Sequence, residues 1–357
     1  MTAPTDTFDE ARAEEFGGRL FGMLTDSMTI LMIDLAGRTG LFAALAQGPG
    51  TGAELAERSG LQERYLRECL GGLVTASIVD YDAGNGTYSL PAEYAACLTG
   101  GGATDMSPMA RITSLAAQHV SGVARAFREG GGVPYEAFRP EFTEVMDGLS
   151  RGLMDGQLID GILPTDPTLS GRLTAGLRVA DVGCGTGHAI NLMAAAFPAS
   201  TFTGFDFSDG AIDAARKEAA EMGLSNATFE IRDVAELPPA SFDVMFAFDS
   251  IHDQKDPAGV LQAIHAALAP GGQFVMMDVK ANSALEDNIG NPFAPLLYGI
   301  STLHCMTVSL ALGGAGLGAV WGEQTARAML EEAGFTVEGV HDVPEDPMDS
   351  IYLARRG

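Results

Sequence analysis

The stretch Arg178-Val179-Ala180-Asp181-Val182-Gly183-Cys184-Gly185-Thr186-Gly187-His188 decides the fold. An apolar run enters a turn with glycine at every second position, and a helix-forming segment begins at about Ala189. Glycine lets the backbone approach a ligand closely, and the helix N-terminus that follows attracts negative charge. Strand, glycine turn and helix in that order open a doubly wound α/β sheet, whose ligands lie beyond the carboxyl ends of the strands. A dinucleotide-binding GxGxxG loop wants Gly or Ala at its sixth position, which here is His188. Asp181 closes the strand, where it would repel a pyrophosphate. An acid beside the turn suits a ligand with an ammonium group and no phosphate.

Downstream of this turn, strands alternate with helices. Candidate strands are Arg178–Val182, Thr201–Asp206, Thr228–Arg232, Phe242–Asp249 and Gln273–Asp278, with two more near Thr336–His341 and Ser350–Ala354. Near-continuous apolar strands in that alternation predict a parallel sheet covered by helices on both faces. Upstream, Leu31, Met32, Leu35, Leu41, Phe42 and Leu45 give residues 10–47 a helical period. Thr51-Gly52-Ala53-Glu54 spells a capping box for a short helix ending at Gly60, and Tyr65, Leu66, Leu70, Leu73 and Val74 mark a second helix. A hairpin of Ile78–Tyr81 and Thr87–Leu90 follows, and helix, helix, hairpin is the layout of a winged helix-turn-helix. Residues 105–165 read as helical again, interrupted at Gly130-Gly131-Gly132 and Pro134. The expected domains are therefore 1–104, a helical winged-helix domain, 105–170, a helical linker or cap, and 171–357, the α/β domain.

Through DVGCGTG at 181–187, FDFS at 205–208 and RDV at 232–234, the chain resembles the class I S-adenosylmethionine-dependent methyltransferases over about half its length. With the N-terminal module it resembles the bacterial winged-helix-fused members, sometimes labelled regulator-like. The resemblance implies a Rossmann-like seven-stranded sheet and S-adenosyl-L-methionine as cofactor. It places Asp181, Gly183, Gly185 and Gly187 against the methionine moiety, Asp206 at the ribose hydroxyls and Asp233 at the adenine amino group. Phe207 and Val234 become apolar walls, and Asp249 completes the expected cofactor-binding set.

Two further stretches carry chemistry. Phe248-Asp249-Ser250-Ile251-His252-Asp253 closes the fourth strand, where open α/β sheets put reacting groups. His252 is the expected catalytic residue, a general base with an ordinary pKa near neutrality, and a histidine that only caps the loop is the alternative. Between Asp287 and Glu323 the chain has no charged residue, a length that would cross a membrane. Its asparagines, prolines and glycines argue instead for a buried or pocket-lining segment. By resemblance, residues 284–322 are a substrate cap with Tyr298, Ser301, His304 and Trp321 toward an apolar or aromatic acceptor. His304-Cys305-Met306 offers soft donor atoms, but neighbours in sequence rarely converge on one ion, so no metal is expected.

Composition sets the outer limits. The formal charge of −26 over 357 residues repels nucleic acid and anionic membranes, and 46% hydrophobic residues exclude global disorder. The candidate recognition helix Gln62–Val74 balances Arg64 and Arg67 with Glu63 and Glu68, so dimerisation is expected of the winged helix and DNA binding is not. Cys69, Cys97, Cys184 and Cys305 lack CxxC spacing, and MTAPTDTFDEARAEEF lacks the basic and apolar regions of a leader. A cytoplasmic homodimer acting on a small molecule is the expectation, with no membrane insertion. Two rivals stand beside methyl transfer: a transcription regulator that senses S-adenosylmethionine, and an enzyme using the sulfonium for other chemistry.

Overall fold

The computed structural model describes residues 8–100 and 105–357. Part of the leader reading and the expected boundary at 104 lie outside the described residues. The chain divides into two compact units at Ser114/Leu115. That point falls within the helix Ser107–Glu129, so most of the expected 105–170 cap belongs to the C-terminal unit.

The N-terminal unit begins with a 29-residue helix, Glu10–Arg38, capped by Asp9, and a short helix, Leu41–Ala46. Strand β1 (Gly50–Thr51) leads into the helix Gly52–Ser59, where Thr51 and Glu54 form the expected capping box. The helix Glu63–Thr75 follows, then β2 (Asp80–Asp82) and β3 (Thr87–Ser89) in a small antiparallel sheet ordered β1-β3-β2. Leu41, Phe42, Leu45, Leu55, Leu66, Leu70 and Leu73 close the core of this winged helix. On the outer face of Glu63–Thr75, Arg64 pairs with Glu68 and Arg67 with Glu63, so the helix presents no cationic surplus. The long first helix is different. Phe16, Leu20, Phe21, Met23, Leu24, Met28, Leu31 and Leu35 are all exposed along it.

In the C-terminal unit seven strands form one sheet: β4 (Arg178–Val182), β5 (Thr201–Asp206), β6 (Ala227–Ile231), β7 (Phe242–Phe248), β8 (Leu268–Val279), β9 (Phe335–Val343) and β10 (Asp346–Arg356). Their order is β6-β5-β4-β7-β8-β10-β9. The strands β4 to β8 pair in parallel, as expected, but β10 runs antiparallel to both neighbours. The physical reason is the two-residue link Pro344-Glu345 between β9 and β10, with Glu345 at φ 63°, since so short a connection permits only an antiparallel pair. Alternate residues serve opposite layers. Phe246, Val275 and Met277 face the helices His188–Ala196 and Asp209–Glu221, while Met245, Ala247, Phe274 and Met276 face Pro257–Ala267 and Gly322–Glu332.

The order reverses beside β4. From β4 the chain moves outward to β5 and β6, then returns to the other side as β7, so the carboxyl ends of β4 and β7 flank the switch point where such sheets bind ligands. The uncharged segment becomes a nearly continuous helix: Ala294–Ile300, a π-helical turn Ser301–Cys305, and Met306–Ala311. Residues 294–311 and the first helix are both long and apolar enough to cross a membrane, and the former is 44% buried within the fold.

Candidate active site

The glycine turn is held by its own geometry. Gly183 and Gly187 adopt φ 72° and 74°, a region side chains avoid, and a Cβ on Gly187 would lie 2.4 Å from the ring of Phe229. At the end of β5, Asp206 accepts from the backbone N–H of Gly185 (2.9 Å) and of Ser208 (2.8 Å), so one carboxylate clamps the turn to the neighbouring strand. Burial raises its pKa against the pull of those amides. Asp181 is buried, and its Oδ1 takes no hydrogen bond among the described residues. Burial, with the Asp206 carboxylate nearby, pushes its pKa up to about 8. A buried acid with one unpartnered oxygen beside a glycine cradle fits a ligand that brings a cation there.

Other expected cofactor residues are placed less uniformly. Val234 is buried after β6, Asp233 is exposed at the start of that turn, and Phe207 is exposed with its ring 5.3 Å from Tyr135. Asp249 follows β7 at φ 48°, and burial together with Asp278 pushes its pKa to about 8. Its electrostatic neighbours are Asp278, His252, Asp346 and Asp253, and the residue after it, Ser250, packs on Gly183.

The loop after β7 packs directly on the turn. Ser250 donates to the carbonyl of Val182 at 2.6 Å and lies where a Cβ on Gly183 would be. Two residues on, His252 is buried, with Nδ1 2.7 Å from Asp278 Oδ1. That oxygen also accepts from the indole N–H of Trp321 (2.9 Å) and the amide of Val279 (2.8 Å). Nε2 faces Asp253 Oδ1 at 3.3 Å, with the buried thiol of Cys305 close by. Burial pulls the imidazole pKa down, but Asp278 and Asp253 outweigh it and hold it well above the ordinary value.

Above this loop sits an aromatic cluster. His304, in the π-helical turn, stacks on Phe142 (centroids 3.5 Å apart, 13° between planes) and meets Phe138 and Tyr135 edge-on. Neither ring nitrogen of His304 has a partner among the described residues, and burial lowers its pKa to about 4, so the ring is neutral. The other expected acceptor residues stand apart. Tyr298 is half-exposed and meets Asn288, Ser301 packs beneath Gly318, and Trp321 is a core residue that steadies Asp278. The indole N–H of Trp321 is spent on that buried carboxylate.

Sequence reasoning missed Asp278, Cys305, Tyr135, Phe138 and Phe142. Asp278 had a visible signal, an acid at the carboxyl end of the fifth strand. The aromatic residues come from the helical segment upstream of the sheet, where nothing local marks them. One of its helices, Glu141–Gln157, also grips the glycine turn. Asp147 receives the hydroxyl of Thr186 and pairs with Arg151, which reaches Glu218, while His188 contacts Glu218 and Asp155.

Comparison with known proteins agrees with this fold. Residues 173–334 match the family model of a methyltransferase domain, and residues 27–100 match an Rv2258c-like winged HTH domain. A ubiquinone biosynthesis O-methyltransferase of Pseudomonas syringae pv. tomato is 34% identical over 110 residues, 30% of this chain and 47% of the relative. The chain thus spans about half the length of the curated relatives it matches. Human N-acetylserotonin methyltransferase, solved in complex with SAM, superposes with a TM-score of 0.73 at 19% identity, covering 100% of both chains. The mitomycin 7-O-methyltransferase gives 0.71 at 21% identity, covering 98% of this chain and 100% of the other. In domain terms, residues 173–334 are a methyltransferase domain and residues 27–100 are a winged helix-turn-helix domain.

Proposed function

We propose that the protein transfers a methyl group from S-adenosyl-L-methionine to a hydroxyl of a small aromatic molecule. The observation that carries this reading is the buried Asp278–His252 pair, in which His252 stands on a loop in direct contact with the glycine turn. Asp181, Asp206, Phe207, Val234 and the glycines of the turn would hold the cofactor. When bound, it supplies a methyl on a sulfonium, whose electron pair stays with sulfur as the acceptor oxygen bonds the carbon. The chain's own part is to bring the hydroxyl into line and take its proton. Asp278 fixes the ring tautomer with hydrogen on Nδ1, which leaves the Nε2 lone pair for the acceptor proton. Trp321 and Val279 hold Asp278 in turn, so the base is supported from behind.

The names of the relatives and structural neighbours, which are O-methyltransferases in several cases, support oxygen as the receiving atom. The neutral outer face of Glu63–Thr75 supports catalysis over a DNA-binding regulator. The exposed apolar side of Glu10–Arg38 supports a homodimer in which two such helices cover each other. The strong negative charge suits work in the cytoplasm without nucleic acid or membrane insertion. The direct test is transfer of labelled methyl from S-adenosylmethionine to phenolic compounds by the full chain. Labelled product supports the reading, and cofactor turnover without a methylated product refutes it.

A further inference from the structure

The thiol of Cys305 has no part in the methyl transfer proposed above, yet it sits at the reacting end of the base. The π-helical turn Ser301–Cys305 brings it onto the loop after β7, within hydrogen-bonding reach of His252. Three donors from two distant stretches thus converge: His252 Nε2, Asp253 Oδ1 and Cys305 Sγ. All lie within 4.8 Å of one another, and the first two are 3.3 Å apart. A triangle of that size has a point no more than about 2.6 Å from every corner, against zinc bonds of about 2.0–2.2 Å to nitrogen or oxygen and about 2.3 Å to sulfur. An ion there needs no cavity, only a contraction of a few tenths of an ångström, because it replaces the protons that the three donors share. His252 and Cys305 are buried, while Asp253 keeps 26% of its side chain exposed, which leaves an entry path and a side for a fourth ligand, water.

Behind the ring, Nδ1 is 2.7 Å from Asp278 Oδ1, which Trp321 and Val279 hold in turn. A carboxylate on the far nitrogen is the arrangement that orients a histidine toward a metal and makes it a better ligand. The donor set decides the ion. Thiolate, imidazole and carboxylate together suit zinc, whereas magnesium and calcium want a shell of oxygens, and this set offers one carboxylate.

We propose that His252 Nε2, Asp253 Oδ1 and Cys305 Sγ form a zinc site, and that zinc bound there stops methyl transfer by occupying the lone pair that the acceptor's proton needs. The site stands on geometry and donor chemistry, while the inhibition rests on the methyl-transfer reading. Binding is an exchange with no redox step: Zn2+ enters, the Cys305 thiol gives up its proton, and any proton on Nε2 leaves. Thiolate and carboxylate then balance the dication, so the filled site carries no net charge. The convergence runs across the chain and not along it, which is why His304-Cys305-Met306 alone does not announce it.

The test uses the full-length protein, with Co2+ as a coloured probe and Zn2+ itself for ligation and inhibition. One equivalent of Co2+ is expected to give a thiolate-to-cobalt charge-transfer band in the near ultraviolet, and Zn2+ to bleach it. X-ray absorption of the zinc-loaded parent is expected to show one sulfur at about 2.3 Å beside nitrogen and oxygen at about 2.0–2.2 Å. The cobalt band should be lost in Cys305→Ser and kept in Cys97→Ser. In the labelled-methyl assay, turnover of the parent should fall at least about tenfold as zinc fills the site, and return when a chelator removes it. A shell of nitrogen and oxygen alone overturns the inference, as does a band that survives Cys305→Ser. Methyl transfer at full rate with zinc in place overturns it as well, since Nε2 cannot serve both. If zinc binds through sulfur but no phenolic compound is methylated with or without chelator, the site stands and the methyl-transfer reading falls. The parent's X-ray absorption decides sulfur ligation, so the result does not depend on how well the variant folds.

Discussion

At the scale of single residues, electrostatics sets the predictions. The imidazole of His252 has its pKa raised by Asp278 and Asp253, so the neutral base forms only as pH climbs above the ordinary histidine range. Turnover should therefore rise with pH through that elevated pKa. His252→Ala should cut kcat by roughly a hundredfold or more and abolish the rise, with cofactor affinity little changed. Steady-state kinetics across pH, with calorimetry for binding, checks both halves. Asp206→Ala should weaken cofactor binding by roughly 2–3 kcal/mol, because buried ribose hydroxyls lose a charged acceptor. Titration calorimetry giving the parent affinity would remove Asp206 from the site. Asp181, with a pKa of about 8, is largely protonated at pH 7 before the cofactor arrives. An ammonium group favours the carboxylate, so binding should release protons, and the measured enthalpy should change with the ionisation enthalpy of the buffer. A buffer-independent enthalpy would count against an ammonium at Asp181. Asp181, Asp206 and His252 could be singled out in the sequence because they stand at or just beyond strand ends beside a recognisable turn. That Asp249 lies beside Asp278 and His252 was not legible, because sequence does not show which neighbouring strand a carboxyl faces.

At the scale of elements, most of the fold was legible. The capping box at Thr51, the wing strands and the alternation from Arg178 onward all rest on local patterns, and each appears, though the first wing strand is Asp80–Asp82 where Ile78–Tyr81 was expected. The direction of β10 was not legible from its own residues, since it follows from the shortness of the link before it. The π-helical turn at Ser301–Cys305 was hidden for a related reason: its residues suit an α-helix, and the extra residue per turn is set by packing. The glycine turn makes the sharpest prediction at this scale. Gly187→Ala combines a positive φ with a Cβ 2.4 Å from Phe229, and should cost at least about 2 kcal/mol of stability. Thermal unfolding reads it directly, and an unchanged Tm would mean the turn relaxes freely.

At the scale of the molecule, the proposed homodimer rests on the exposed side of Glu10–Arg38. Eight large apolar side chains along one helix exceed what a lone soluble chain normally shows to water. Light scattering on the full chain should give a dimer, and Phe21→Asp with Leu24→Asp should give a monomer that retains its helical content. A monomeric parent protein would refute the dimer, and vesicle binding by the parent that the double variant loses would assign the surface to lipid.

The helix Glu141–Gln157 carries a consequence for how acceptor specificity could drift under the proposed methyl transfer. Phe142 backs the imidazole of His304, and further along the same helix Asp147 and Arg151 grip the loop that would hold the donor. A rigid rod with a hand in each compartment ties their affinities together, and such ties are reciprocal. A substitution that reshapes the acceptor side at Phe142 would also be felt as a change in donor affinity. Broadening the range of acceptors by mutation would then erode saturation with donor, unless a second change along the same rod restored the grip. Variants selected for new acceptors should accordingly carry paired changes on this helix, one near each end.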